Sequence, residues 1–266
     1  MDSMLIGTRY HVGADIDNEF MALLATRQKH LDQLILGPMT RTALDQPCHI
    51  PGWPTPPSNW PPKLAMLMVP WRVGSKEELE YYTALINLSC HTLRNLTVST
   101  WILGEGIDER AELEHRNDPK GEPLKTLLGP FMDSNSQPKL ALAKLNVANQ
   151  YLKPSTAYLN RCVDFTNLEE LVILECAGID HFIHVVMDTF TSRLAKLYGL
   201  NIRCEWRDPP SKVSGLLRIF SGLRYLVLSF WRYCGQESRF DIKCLSNHTS
   251  TLQDLYLAAR LDSPSV

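Results

Sequence analysis

Two histidines three residues apart form the pair in this sequence that most resembles a metal site. His181 and His184 fall on a predicted helix, with Asp180 and Asp188 nearby. Imidazole and carboxylate groups are common zinc ligands, but a zinc site needs a third and fourth ligand from a facing element. The sequence suggests no such element, so we interpret the pair as solvent-facing helix residues and predict no metal site.

The other candidate reactive residues also have a structural interpretation. Asp15 and Asp17 precede a predicted helix around Phe20 and are expected to cap it. Four of the seven cysteines fall at expected core positions: Cys162, Cys176, Cys204 and Cys244. The sequence contains no Gly-rich phosphate loop, H-E-x-x-H, G-x-S-x-G or kinase signature. We therefore predict that the protein is not an enzyme and has no cofactor and no small-molecule substrate.

The composition is that of an ordinary soluble globular chain. Of its 266 residues, 44% are hydrophobic and 21% are charged, with a formal net charge of -2. A charge so near zero gives no electrostatic reason to expect nucleic acid or an anionic membrane as a partner. The seven cysteines include no C-x-x-C pair, and the first residues show no signal-peptide pattern. These features favour the cytoplasm or the nucleus.

A leucine motif recurs along the whole chain. Eight segments match Leu-x-x-Leu-x-(Leu/Ile/Val/Met), and their first leucines are Leu31, Leu64, Leu93, Leu142, Leu168, Leu197, Leu223 and Leu252. Successive first leucines are 33, 29, 49, 26, 29, 26 and 29 residues apart. The later units therefore alternate between two intervals, as repeated structural units do and scattered leucines do not.

The spacing inside each unit predicts a strand followed by a helix. The second and third apolar positions of the motif lie two residues apart, so both point to one face of a short strand. Between motifs the apolar residues change to helical spacing, as from Ile179 to Leu197, a run that includes Leu194. Ser75, Pro154 and Pro209 mark expected helix starts. Repetition of this unit predicts a parallel sheet covered by a layer of helices.

These motifs resemble the leucine-rich repeats of the F-box type, which are found in many fungal proteins and have units of ~26 residues. The resemblance covers about residues 16–260. It implies an α/β leucine-rich-repeat solenoid, a horseshoe with parallel strands on the concave face and helices on the convex face. In regular repeats an Asn or Cys follows the third apolar position by three, and here only Cys176 fits that place.

The resemblance also implies a function, that of a scaffold that binds a protein partner on its concave face. Two classes fit: substrate recognition for a cullin-type ubiquitin ligase, or a repeat-only structural or nuclear adaptor unrelated to ubiquitin. No F-box is recognisable ahead of the first repeat. The sequence thus departs from the F-box family where the ligase role would need it.

We expect residues 1–266 to form one solenoid domain of about eight units, or a fragment of a longer chain, with insertions at 45–62 and 104–122. The first insertion is rich in proline and is expected to be an extended loop. Its Trp53 and Trp60 either pack on the solenoid or belong to a ligand for a small adaptor domain. The region 104–138 is either an inserted loop within one repeat or a degenerate repeat near Leu124.

A protein-binding patch is predicted on the C-terminal half of the chain. Strand residues between the core leucines should face the concave side, and aromatic residues and arginine are the usual anchors of interfaces. The predicted patch consists of Arg203, Trp206, Tyr225, Trp231 and Tyr256. An alternative for Trp206 and Trp231 is that they fill turn cores where the missing Asn or Cys would have been.

Overall fold

Eight leucines, one from each motif, stand side by side on neighbouring strands. Each is the second leucine of its motif, and each is the register partner of the next: Leu34, Leu67, Leu96, Leu145, Leu171, Leu200, Leu226 and Leu255. We call this series the leucine ladder. The predicted alignment of the eight leucine-bearing segments is therefore confirmed.

The structure is a computed structural model that describes residues 11–12, 33–36, 64–69, 72–73, 76–99, 101–102, 122–133, 139–205, 210–232 and 240–261. The insertion 45–62 with Trp53 and Trp60, the Asp15–Asp17 pair, and Trp206 lie outside these residues.

The strands form a main sheet and a small second one. Their bounds are β1 His11–Val12, β2 Gln33–Leu36, β3 Met66–Val69, β4 Arg72–Val73, β5 Asn95–Val98, β6 Trp101–Ile102, β7 Lys144–Ala148, β8 Glu170–Leu174, β9 Gly199–Glu205, β10 Tyr225–Arg232 and β11 Asp254–Leu261. Over the described ranges, the main sheet has nine strands in the order β1-β2-β3-β5-β7-β8-β9-β10-β11. Every neighbouring pair is parallel, and β4 pairs with β6 separately.

Helices alternate with these strands and pack against one another in chain order. Their bounds are α1 Lys76–Leu88, α2 Glu122–Asp133, α3 Leu152–Cys162, α4 Ile179–Ser192 and α5 Pro210–Arg218, with 3₁₀ helices at Phe165–Asn167 and Ile242–His248. Their apolar side chains share one buried core with the leucine ladder. The protein is thus an α/β structure in which a layer of helices covers one face of a parallel sheet.

One backbone hydrogen-bond arrangement recurs at the start of six strands. A single carbonyl just before a strand accepts the N–H groups of two consecutive residues at the start of the next strand, at 2.7–3.0 Å. The accepting residues are Ala65, Arg94, Ala143, Glu169, Tyr198 and Arg224. These residues follow the spacing of the leucine motif, so the repeat is one of backbone geometry as well as of sequence.

The turns that leave β7 and β8 also match. Asn149 and Glu175 both have left-handed backbones, with φ values of 56° and 52°. In the next position Gln150 donates to the Ala148 carbonyl at 3.2 Å, and Cys176 donates to the Leu174 carbonyl at 3.4 Å. The buried Gln150 therefore satisfies the turn backbone as Cys176 does, which the expected Asn or Cys pattern did not anticipate.

Two helix boundaries differ from the sequence prediction. Helix α3 begins at Leu152, so Pro154 lies within its first turn, where a missing N–H removes no intrahelical bond. Helix α4 ends at Ser192, because Arg193 adopts extended backbone angles. The expected helical apolar stripe stops there, and Leu194 is 93% exposed rather than buried.

The long interval after Leu93 corresponds to one unit of the sheet. Strand β5 pairs directly with β7, and the helix between them is α2. Leu124 lies in that helix and is buried. Because β5 pairs directly with β7, no degenerate repeat near Leu124 adds a strand between them in the main sheet. Residues 104–121, where the inserted loop is predicted, lie outside the described residues.

The last rung of the leucine ladder departs from the predicted core. Leu226 and Leu228 of β10 are fully buried, whereas their register partners Leu255 and Leu257 of β11 are 48% and 42% exposed. Strand β11 is the final strand of the sheet as described, so nothing in the described structure covers these leucines as the helices cover the earlier rungs.

His248 is a fully buried histidine held between two backbone groups. Its Nδ1 accepts the Leu223 N–H at 3.3 Å, and its Nε2 lies 2.9 Å from the Leu217 carbonyl. A carbonyl can only accept, so the neutral ring carries its proton on Nε2. Burial lowers the pKa of His248 below its usual 6.5, while the bond to Leu217 opposes that change.

We expect the free energy of unfolding to fall as the pH drops below about 6.5. The unfolded chain binds a proton at His248 near that pH, whereas the folded chain keeps the ring neutral. Replacing His248 by glutamine should flatten this part of the curve in denaturant titrations between about pH 7.5 and 5.5. An unaltered slope in His248→Gln would contradict the prediction.

Candidate functional site

The face of the sheet opposite the helices is uncovered within the described residues, and we call it the open face. Alternate strand residues point to it and are mostly half-buried or exposed, while their neighbours are buried. The register arranges them in rows: Asn95, Lys144, Glu170, Gly199, Tyr225 and Asp254; Thr97, Asn146, Val172, Asn201, Val227 and Tyr256; and Ala148, Leu174, Arg203, Ser229 and Ala258. The open face is thus a continuous surface of mixed polar and aromatic residues.

The first row contains a chain of polar and aromatic contacts. Lys144 and Glu170 form an ion pair between β7 and β8. The Tyr198 hydroxyl donates to Glu170 Oε1 at 3.3 Å, and the Tyr198 ring meets the Tyr225 ring edge to face at 6.3 Å. Arg224 places its guanidinium carbon 5.9 Å from the centre of the Tyr198 ring. Tyr198 therefore links the charged end of the row to Tyr225.

Tyr198 acts in this series of contacts as a neutral hydrogen-bond donor. Partial burial is the first cause that raises the pKa of its phenol, and the negative charges of Glu170 and Glu169 raise it further. The proton of the hydroxyl is therefore retained at neutral pH and remains available to Glu170.

Gly199 makes room for Glu170. A Cβ at Gly199 would lie 3.0 Å from Glu170 Cγ, so any other residue there would make the Glu170 side chain shift by about a few tenths of an ångström. The absence of a side chain in the middle of the row thus allows Glu170 to reach both Lys144 and Tyr198.

Three residues of the predicted patch lie on the open face. Tyr225 and Tyr256 are 42% and 54% exposed, and Arg203 is also exposed. Tyr225 and Tyr256 are diagonal neighbours on β10 and β11, which corresponds to about 8 Å between their Cα atoms. Arg203 stands two strands from Tyr256 and two residues further along, about 12 Å away. The structure therefore brings these three residues into one region.

The two tryptophans of the predicted patch have different outcomes. Trp231 belongs to β10, six residues after Tyr225 and therefore about 20 Å along the strand. The structure describes its backbone only. Trp206 lies outside the described residues, so the prediction that it contributes to the patch remains a prediction.

Sequence reasoning missed Tyr198 and Arg224 as parts of this region. Both occupy the position just before a strand, where the backbone carbonyl accepts two N–H groups from the next unit. The predicted patch draws on strand positions and on residues just beyond the strands, but not on the residue that precedes each strand. Aligning the repeats on this preceding position would have indicated that Tyr198 and Arg224 lie on neighbouring units.

The second row contains acceptor atoms without a described hydrogen-bond partner. The Oδ1 atoms of Asn146 and Asn201 are buried, and no donor among the described residues reaches them. Both residues flank Val172 in the register. Buried polar atoms normally have a partner, so these two oxygens offer acceptor sites to a donor from water or from a bound molecule.

The residues first considered for chemistry lie elsewhere. His181 and His184 are exposed on α4, as predicted. Within the described residues, no group of three or more His, Cys, Asp and Glu side chains is arranged to hold a metal ion. Cys162, Cys176 and Cys244 are buried, which confirms their predicted core positions. Burial raises the pKa of Cys162 to about 11 and that of Cys176 to about 12, so both are thiols at neutral pH.

A polar cleft of about 610 Å³ opens near the ends of α3 and α4. Its lining includes Lys139 and Asp164, whose side chains are already hydrogen-bonded to backbone groups. Lys139 Nζ donates to the Asn160 carbonyl at 2.6 Å, and Asp164 accepts the Thr166 N–H at 3.1 Å. On the open face, the exposed side chains of Arg203 and Tyr256 make no such hydrogen bond to the described residues. We therefore take the open face as the candidate site.

None of the helices described in the structure has the length and apolar character required to cross a membrane. Comparisons of the chain with protein-family models, with curated proteins and with solved structures find no match.

Proposed function

We propose that this protein is a binding scaffold of the leucine-rich-repeat type that holds a protein partner on its open face. The observation that carries the proposal is the leucine ladder, which runs in register through eight strands and directs the alternate residues to one uncovered surface. Helices occupy the other face, so a large partner meets the sheet from this side.

The chemistry of the open face suits a protein partner. Exposed tyrosines and arginine are the residue types that contribute most to protein interfaces. The first row carries both signs of charge, with Lys144 positive and Glu170 and Asp254 negative, rather than forming a basic stripe. Such a surface matches the mixed rim and aromatic core of a protein interface better than it matches a polyanion.

The partner class follows from the resemblance to F-box-type repeats. We propose substrate recognition for a cullin-type ubiquitin ligase as the first class and a repeat-only adaptor as the alternative. In the described part of the chain Cys90, Cys162, Cys176 and Cys244 form no disulfide, which supports work in the cytoplasm or nucleus. A pull-down with the small helical adaptor of the cullin complex separates the classes, since F-box proteins retain this adaptor and repeat-only scaffolds do not.

Replacing both Tyr225 and Tyr256 by alanine is expected to weaken partner binding at least about tenfold, because buried tyrosines at interface centres each contribute ~2 kcal/mol. The melting temperature should change little, since both side chains are largely exposed in the free protein. Photo-crosslinking from position 227, which neighbours both tyrosines on the open face, identifies the bound protein in host cells, and quantitative mass spectrometry measures its recovery with each variant.

Tyr158→Ala on α3 serves as the matched control, because it removes a tyrosine from the helix layer. This variant should recover the partner as the unmodified chain does. Equal recovery by the control and by the double variant would show that the open face does not hold the partner. If Tyr158→Ala recovers less of the partner than the double variant does, the partner binds the helices.

A further inference from the structure

The second row of the open face alternates between amide and apolar side chains. Asn146, Val172, Asn201 and Val227 are register partners on the consecutive strands β7 to β10. All of these side chains are half-buried. Neighbouring strands lie about 4.8 Å apart, so the two asparagines are about 9.6 Å from each other, as are the two valines. The row therefore repeats one amide–valine pattern in the direction that crosses the strands.

The protein itself does not use the two asparagine amides. Neither side chain makes a hydrogen bond to a residue that the structure describes, and the Oδ1 atom of each is buried without a partner. An asparagine amide has two donors and an acceptor, and a peptide group has one of each, so the two groups match. The terminal torsion of asparagine is broad, so each amide can turn its oxygen towards a donor. The row thus has two hydrogen-bonding sites for a peptide backbone.

The spacing of the asparagines selects the conformation of that backbone. A polyproline II helix has three residues per turn, so its equivalent peptide groups recur about every 9.3 Å. In a β-strand, equivalent groups recur at every second residue, about 6.8 Å apart. The separation of the two asparagines matches the first repeat and not the second. A polyproline II backbone also has no internal hydrogen bonds, so its peptide groups are free to bind the amides.

Arg203 supplies the charge beside these amides. Among the described residues of the second and third rows it is the one charged residue, and it lies two positions beyond Asn201 on β9. Its guanidinium is exposed and pairs with no described residue, not even with Glu175, whose N–H bonds to the Arg203 carbonyl. Arginine binds a carboxylate through two parallel hydrogen bonds. An acidic side chain therefore complements this part of the open face.

We infer that the second row binds a polyproline II segment of the partner protein, which crosses β7 to β10 and carries an acidic side chain. The amides of Asn146 and Asn201 bind peptide groups one turn apart. Val172 and Val227 contact the apolar residues between them, where proline favours the required conformation. Arg203 pairs with the carboxylate. The inference rests on the proposed function, because it describes how the open face holds its protein partner.

Two phage-displayed peptide libraries, selected against the purified full chain, test the conformation of the segment. Both contain peptides of about twelve residues, or four turns of polyproline II helix. One library has proline at every third position and the other has no proline. We expect binders from the first library alone, with Asp or Glu enriched at one position.

Variants of the open face then test the contacts of a selected peptide. Asn146→Ala with Asn201→Ala should weaken its binding at least about tenfold, since two hydrogen-bonded amides are lost. The melting temperature should change little, because neither amide has a partner among the described residues. Asn160→Ala, an exposed position on α3, is the matched control and should bind the peptide like the unmodified chain.

A charge cycle tests the arginine without relying on a protein variant alone. Arg203→Gln should weaken binding about tenfold, and so should replacing the acidic residue of the peptide by glutamine. The two changes together should cost no more than either alone. Arg161→Gln, exposed on α3, is the control and should have no effect.

Three results would overturn the inference: no selected binder from the proline library, equal enrichment from both libraries, or a peptide indifferent to the asparagine and arginine variants. The proposed function fails on a different observation. If recovery of the cellular partner depends on Tyr225 and Tyr256 while no peptide is selected, this inference is wrong and the binding scaffold stands. If the peptide binds as described while partner recovery ignores the tyrosines, the reverse holds.

Discussion

Replacing Leu171 by alanine is expected to lower the free energy of unfolding by about 3–5 kcal/mol. Leu171 is the ladder residue of β8, a strand paired on both sides, and only 1% of its surface is exposed. The substitution removes buried methyl groups and leaves a cavity between the ladder leucines Leu145 and Leu200. The closely packed interior can collapse only partly around that cavity, so both the transfer and the cavity terms contribute.

Leu255→Ala provides the matched control for this prediction. Leu255 holds the same motif position and the same place in the leucine ladder, but nearly half of its surface is exposed. Leu255→Ala should lower the free energy of unfolding by less than about 1 kcal/mol, measured in urea at the lowest usable protein concentration. Equal losses in both variants would contradict the difference in burial between the central and final rungs.

Replacing Phe182 by alanine is expected to cost about 3–5 kcal/mol. Phe182 lies on α4 with 1% of its surface exposed, and its ring meets the Phe165 ring edge to face at 5.6 Å. This contact packs α4 against the 3₁₀ helix that precedes β8. Beyond the lost burial, the edge-to-face contact contributes about 0.5–1.5 kcal/mol.

A double-mutant cycle measures the aromatic contact separately. The cycle uses Phe165→Ala, Phe182→Ala and the combined variant, and unfolding in urea gives the coupling energy. Tyr225→Ala is the control from the open face and should cost less than about 1 kcal/mol, since its side chain is 42% exposed. A loss at Tyr225 as large as at Phe182 would mean that the open face is part of the core.

The architecture was predictable from the sequence because it depends on short-range periodicity. Two apolar residues two positions apart, such as Leu171 and Ile173, must share a face of any strand that they form. The recurrence of the same pair at intervals of 26 and 29 residues predicted neighbouring strands, and the register places their leucines opposite one another. The helices between the strands were predicted because the apolar residues change there from a spacing of two to a spacing of three or four.

The errors came from features that depend on neighbours distant in sequence. Leu194 continues the helical spacing of α4, but the chain must leave the helix at Arg193 to reach the next strand. Leu255 matches the leucine motif but is 48% exposed, because no further unit of the described structure packs beside β11. No local sequence pattern indicates this. Gln150 replaces the expected Asn or Cys because any buried side-chain donor of suitable reach satisfies the turn carbonyl.

The candidate site was predicted in part for the same reason. Strand parity placed Arg203, Tyr225 and Tyr256 on the open face, and all three are exposed there. Tyr198 and Arg224 precede their strands, so parity said nothing of them. Their contacts with Tyr225 and Glu170 arise only when neighbouring units stack.

Methyl NMR of leucine-labelled protein tests the central claim most directly, because the leucine ladder places defined methyl groups on adjacent strands. Strands about 4.8 Å apart bring the methyls of successive ladder leucines within range of nuclear Overhauser effects, whereas a skipped strand puts the backbones about 10 Å apart. We expect cross-peaks that link Leu96 to Leu145, Leu145 to Leu171, Leu171 to Leu200, and Leu200 to Leu226, in chain order. Missing links along this series, or strong links between leucines from units that are not consecutive, would contradict the stacked repeat and the open face that depends on it.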